Sequence, residues 1–207
     1  MPVNLADGQE MFLRKNGKGK FDKLRIKLGW YTPHKINSLW FSEFFKSNAI
    51  ECHAYMLMCQ DELRFDYKDI INYCNAEHPS HSVRYLGKCL DDKGNVSEIM
   101  MIDPEKIPLR YNMVVFMADV SKSKSENQHF GMVKNVYVNI LNEDNNQQIC
   151  NYNLSQRYDG MTSILFGALC RCDRGWEFVA VGEGSTGNVI DSLVRPVFYD
   201  EERRIAI

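Results

Sequence analysis

The chain has 207 residues, enough for one large domain or two small ones, and its 44% hydrophobic content is that of a core-forming globular protein. A net charge of −2 argues against a general binder of nucleic-acid phosphate, which carries a basic field. Seven cysteines without a secreted-domain spacing, and no signal peptide or transmembrane run, point to reduced thiols in a cytoplasmic protein.

In chain order, the first feature is a Lys- and Arg-rich stretch from Arg14 to Lys27, which reads as a solvated face beside the first strands. Leu24 to Trp30 alternates apolar and basic residues with period two, so one face is buried and the other wet. The segment from Tyr31 to Ala49 carries Trp40, Phe41, Phe44 and Phe45, and Ser38 can cap a short helix over Ser38 to Ser47. Positions 41, 44 and 45 share one helical face, which either packs on the domain or docks a partner. Ala54 to Cys59 is apolar enough for a central strand, and Tyr67 to Tyr73 is a weaker strand signal.

Ser97 to Ile102 ends at Asp103-Pro104, where the proline stops a strand or opens a short helix. Met113 to Val120 is the strongest apolar strand in the middle of the chain. Four β-type runs follow: Gln128 to Asn135, Val136 to Leu141, Thr162 to Leu169 and Gly175 to Gly182. The turns between strands are short and rich in Asn, Asp and Gly, as at Asp61-Glu62, Lys93-Gly94-Asn95, Glu143 to Asn146 and Asp173-Arg174-Gly175. The last of these reads as a hairpin. Val189 to Val194 is a second short helical candidate.

The pattern predicts an all-β fold, a β-sandwich of two packed, mostly antiparallel sheets with one or two short helices. Residues 1–195 form a single domain and residues 196–207 a C-terminal tail.

Several segments together resemble one family. They are Val3-Asn4-Leu5 with Gly8-Gln9, the Leu24–Trp30 strand ending in Gly29-Trp30, Asn127 to Gly131, Leu165-Phe166-Gly167, and Trp176 to Gly184. In order and spacing they are similar to the TerD family of tellurium-resistance and general-stress proteins. The resemblance implies a two-sheet sandwich and a cytoplasmic bacterial calcium-binding protein, not an established enzyme. It also implies protein partners in stress or defence assemblies, with peripheral membrane association compatible and no nucleic acid.

The family takes its calcium ligands from an Asp-x-Asp-Ala segment, a later asparagine and an acidic, glycine-rich loop. The corresponding residues here are Glu51 and His53, then Asn75, then Asp91 and Asp92, with Glu98 following. Calcium prefers several hard oxygen ligands, whereas an imidazole suits zinc, nickel or copper. Where the family has Gly-Asp, this chain has Gly87-Lys88, and an ammonium there opposes a bound dication. The expectation is a degenerate calcium site. The competing reading puts Asp91 and Asp92 in a solvated turn and turns Glu98 to water.

Three further constellations stand apart from that site. His78-Pro79-Ser80-His81, flanked by Cys74 and Cys89, offers two nitrogens and two sulfurs, but not at the spacing of a known zinc finger. Cys170 and Cys172 share one face of a strand, so a thiol pair is conceivable, and oxyanions such as tellurite react with thiols. No Ser, His and Asp fall in a recognised hydrolase context, and Gly182 to Gly187 lacks the Lys followed by Ser or Thr of a phosphate loop. The reading is therefore a non-enzymatic binding or scaffold module of the stress and tellurite-resistance type, with weakened or lost calcium binding. The rival is a metal- or thiol-dependent oxyanion detoxification protein using His53, His78, His81 or the Cys170 and Cys172 thiols.

Overall fold

The computed structural model describes residues 2–31, 50–90, 95–120, 127–154, 158–187 and 189–198. Twelve strands among these residues form two six-stranded sheets packed face to face. The first sheet runs β1 (Val3–Leu5), β10 (Gln148–Asn153), β9 (Lys134–Asn142), β3 (Leu24–Tyr31), β7 (Asn95–Ile102) and β6 (Val83–Leu90). The second runs β2 (Glu10–Phe12), β12 (Gly175–Ser185), β11 (Ser163–Cys172), β8 (Met113–Val120), β4 (Cys52–Cys59) and β5 (Ile70–Ile71). All pairings are antiparallel except β1 with β10. This is the predicted sandwich.

Between the sheets lies a core to which Trp30, Phe116, Phe166, Trp176 and Phe178 contribute large, fully enclosed rings. The alternation in β3 is as predicted, with Leu24, Ile26 and Leu28 inward. Gly29 carries no side chain because the Tyr137 ring of β9 lies where a Cβ would stand. On the outer face of the second sheet a further apolar cluster gathers Leu57, Val115, Met117 and Leu165 beneath a C-terminal helix. Both faces of β4, β8 and β11 are therefore covered. That is why these strands read as unbroken apolar runs rather than alternating ones.

The predicted helix at Val189 to Val194 forms as a wide helical turn, Ile190–Val194, that continues into α1, Arg195–Phe198. Val197 and Phe198 are buried against the outer cluster, so packing continues past residue 195. The Asp173-Arg174 hairpin turn is present, with Cys172 paired to Gly175.

Several expectations need correction. Gln128 to Asn135 is not a strand: Phe130–Met132 forms a single 3-10 turn, and β9 begins at Lys134. The turn is closed by Met132 N–H to His129 O and Val133 N–H to Phe130 O, and at Gly131 the neighbouring Asp159 occupies the space of a Cβ. Tyr67 to Tyr73 is mostly a 3-10 turn, Tyr67–Asp69, leaving only Ile70–Ile71 in strand. Strands β2, β6 and β10 were not anticipated. The helix over Ser38 to Ser47, the aromatics Trp40, Phe41, Phe44 and Phe45, and the acidic residues Asp91 and Asp92 lie outside the described residues.

Candidate functional site

The candidate site sits where the start of β4 meets the β6–β7 hairpin of the opposite sheet. Strand parity places Glu98 on the same face of β7 as Val96, Met100 and Ile102, so its carboxylate points into the core. It is completely buried, and neither oxygen has a hydrogen-bond partner among the described residues. A buried carboxylate without donors costs several kcal/mol unless a counter-charge is near.

Lys88 supplies that charge, and a β-bulge puts it there. Met100 pairs with Tyr85 and Ile99 with Gly87, so the register slips by one residue between them. Without the slip Gly87 would oppose Glu98; with it, Lys88 does. Gly87 takes φ of +121°, a conformation that favours glycine. The Lys88 ammonium lies 3.6 Å from Glu98 Oε1 and donates to the Cys52 carbonyl at 3.0 Å, crossing from one sheet to the other. It also sits 5.8 Å from the centre of the Trp30 ring.

His53 completes the group. Its Nδ1 is 3.8 Å from Glu98 Oε1 and its Nε2 is 3.8 Å from Glu51 Oε1, so the imidazole stands between two carboxylates. The Tyr73 ring packs on it at 4.9 Å. The Tyr85 hydroxyl lies beside Glu98 without reaching hydrogen-bond geometry; burial first, and that carboxylate second, push its pKa up. Burial likewise pushes the Cys52 thiol up to about 12.

Of the predicted ligands, Glu51, His53 and Glu98 come together, while Asn75 does not join them. Its side-chain amide donates to the Ile70 carbonyl at 2.7 Å and the Lys68 carbonyl at 3.2 Å, closing the turn before β5. The reading in which Glu98 faces water is wrong, because the alternation from Val96 to Ile102 sets it inward. Among the described residues no group of three or more His, Cys, Asp or Glu is placed to hold a metal. Among the described candidates, an ammonium stands at the buried carboxylate, and an imidazole nitrogen stands where calcium prefers an oxygen.

The other predicted constellations dissolve in similar ways. His78 is buried and belongs to a polar network without a sequence motif. Tyr111 donates to Asp69 Oδ1 at 2.7 Å, and His78 Nε2 lies 3.1 Å from the same oxygen. Ser80 N donates to His78 Nδ1 at 3.1 Å, which makes Nε2 the protonated nitrogen and the imidazole neutral. Ser80 Oγ lies 2.6 Å from both His78 Nδ1 and Ser82 Oγ.

The resulting order of Asp, His and Ser matches a nucleophilic relay in outline. However, the N–H beside the hydroxyl, which an acyl-transfer site turns toward an oxyanion, is spent on the histidine. His81 is exposed and pairs with Glu77 at 2.8 Å, and Cys74 and Cys89 are exposed; among the described residues these side chains form no group placed to hold a metal. Cys170 is buried, and burial pushes its thiol up to about 12, while Cys172 is partly exposed.

Comparison with known proteins agrees with this fold. A TerD domain model matches residues 1–196. Stress response protein SCP2 of Bacillus subtilis is 29% identical over 197 residues, covering 94% of this chain and 98% of the relative. A tellurium resistance protein TerD of Serratia marcescens is 27% identical over 190 residues, covering 91% and 94%. The crystal structure of a telluride resistance protein (TerD) homologue from Streptomyces coelicolor superposes with a TM-score of 0.59 at 12% identity, covering 82% of this chain and 93% of that one. No helix among the described residues is long and apolar enough to cross a membrane. With its domain model spanning nearly the whole sequence, the chain belongs to the TerD family.

Proposed function

We propose that this chain is a non-enzymatic binding or scaffold module of a bacterial stress or tellurite-resistance assembly, in which calcium binding is weakened or lost. The carrying observation is the Lys88 ammonium, 3.6 Å from the buried Glu98 carboxylate and bonded to the Cys52 carbonyl. A cation held there by a carboxylate and a carbonyl does for the fold what a bound dication does. It neutralises the acid and ties the two sheets together, but needs no ion from solution. The module then keeps one shape whatever the calcium level.

The non-enzymatic reading is supported by the closure of the Asp69, His78 and Ser80 network on itself. The setting is the cytoplasm, with protein partners. The thiol rival draws on the partial exposure of Cys172, but its neighbour Cys170 is buried with a poorly ionised thiol.

Two measurements on the purified protein test the proposal. Tellurite consumption that disappears in Cys170→Ser or Cys172→Ser would replace it with the thiol rival. Calorimetry with calcium should give no heat at micromolar ion; sub-micromolar affinity would sink the calcium part.

A further inference from the structure

At the opposite end of the sandwich, Lys15 of the Arg14–Lys27 stretch lines a cleft of about 540 Å³. Its walls come from three segments: the loop between β2 and β3, the turn after β7, and the β11–β12 hairpin. Lys15, Lys106, Arg171 and Arg174 line it, against the two acids Glu105 and Asp173. Lys106 is paired at 3.6 Å with the buried Asp103 behind the lining, so Lys15, Arg171 and Arg174 against the two acids leave a surplus of one positive charge, in a chain whose net charge is −2. One of the acids is already engaged, since Glu105 Oε1 accepts from the Phe21 N–H at 2.8 Å.

Arg171 is the best-built element of the cleft. Its guanidinium stacks 4.3 Å from the Trp176 ring centre, donates from Nε to the Tyr111 carbonyl at 3.2 Å, and donates from Nη2 to the Ile107 carbonyl at 3.1 Å. These partners are neutral, and Arg171 makes no ion pair among the described residues. Burial accordingly draws its pKa down. The fold has thus oriented and partly desolvated a guanidinium without giving it a counter-charge, the arrangement that an anionic ligand would complete. Arg174 is held nearby by stacking at 3.5 Å on the Phe12 ring, and Lys15 lies over Phe21.

We propose that this cleft binds the phosphate group of a small phosphorylated molecule, with Arg171 as the anchor and Arg174, Lys15 and Lys106 around it. Phosphate suits it because several cations converge and a planar fork matches phosphate oxygens. The volume lies within the range of small-molecule sites and leaves room beyond a bare phosphate ion for the rest of an ester. A nucleic-acid strand fits less well, because the acids in the lining and the net negative charge of the chain repel its backbone.

Cys172 lines the same cleft and is partly exposed, which makes it a built-in reporter. The full chain should be titrated at low ionic strength with inorganic phosphate, with AMP as a phosphate ester, and with a single-stranded oligonucleotide. Binding is followed by calorimetry and by peptide-resolved iodoacetamide labelling. The expected result is weak binding of phosphate, tighter binding of the ester, and slowed labelling at Cys172 but not at the exposed Cys74 and Cys89.

Arg174→Ala should weaken ester binding roughly tenfold, the loss of one charge-assisted contact. Arg171→Gln should abolish it. Because Arg171 also braces the 107–111 loop, Arg174→Glu serves as the second variant, and it should bind neither phosphate nor ester while melting as the parent does. Unchanged Cys172 labelling, equal ester binding by Arg174→Glu, or binding of the oligonucleotide alone would each overturn the assignment.

Discussion

Replacing Lys88 by methionine keeps an unbranched side chain only one atom shorter and removes its charge, leaving the Glu98 carboxylate buried with no lysine beside it. Breaking a fully buried ion pair from one side costs about 3–5 kcal/mol, and an exposed pair is worth about 0–1 kcal/mol. Here the carboxylate is wholly buried but the lysine side chain is 39% exposed, so the value must be discounted toward the middle.

The charge-dependent loss should therefore be about 2 kcal/mol. The lost hydrogen bond to the Cys52 carbonyl adds about 1 kcal/mol or less. Urea unfolding of Lys88→Met against the parent measures the sum. The double variant Lys88→Met with Glu98→Met should recover most of the loss, since an apolar pair replaces an ionic one. An unchanged stability in Lys88→Met, or a double variant no more stable than Lys88→Met, would refute the view that Lys88 acts as a counter-ion.

Other outcomes follow from the same geometry. Phe198→Ala should cost about 3 kcal/mol, because it empties a buried ring site under the C-terminal helix; an unchanged melting temperature would mean that the helix does not pack there. Gly29→Ala should cost about 1–3 kcal/mol through its clash with Tyr137, and a Tyr137→Leu background should remove most of that loss. Burial, opposed by Asp69, lowers the His78 pKa below its ordinary value of about 6.5. The neutral imidazole therefore favours the folded state fully above that value, and the contribution is lost as pH falls toward the lower folded pKa. Nitrogen NMR should show a neutral His78 ring protonated on Nε2 at pH 6.5; a doubly protonated ring there would refute this.

The parts of the fold legible in the sequence were those where burial is one-sided or total. Leu24 to Trp30 alternates because β3 has one face in the core, and Met113 to Val120 runs apolar because β8 is covered on both. Strand β6 escaped notice because its bulge at Gly87 breaks the alternation that identifies a strand. The same bulge hid the pairing of Lys88 with Glu98, although the inward setting of Glu98 was available from its parity with Met100 and Ile102. The Asp69, His78 and Ser80 network has no local signature, since its contacts span irregular turns and its fourth member, Tyr111, lies 42 residues from Asp69. Likewise, the place of Lys15 in a cleft is invisible in the basic run around it, because Arg171 and Arg174 reach the cleft from the distant β11–β12 hairpin.

The most direct test of the central claim, that a tethered ammonium has taken the place of a bound dication, is calcium calorimetry of Lys88→Asp combined with His53→Asp. These changes replace the fixed cation and the imidazole with carboxylates beside Glu51 and Glu98. The account predicts that the double variant binds calcium at micromolar or tighter concentrations and melts higher with calcium than without it, while the parent does neither. A parent that binds calcium as tightly as the variant would contradict it.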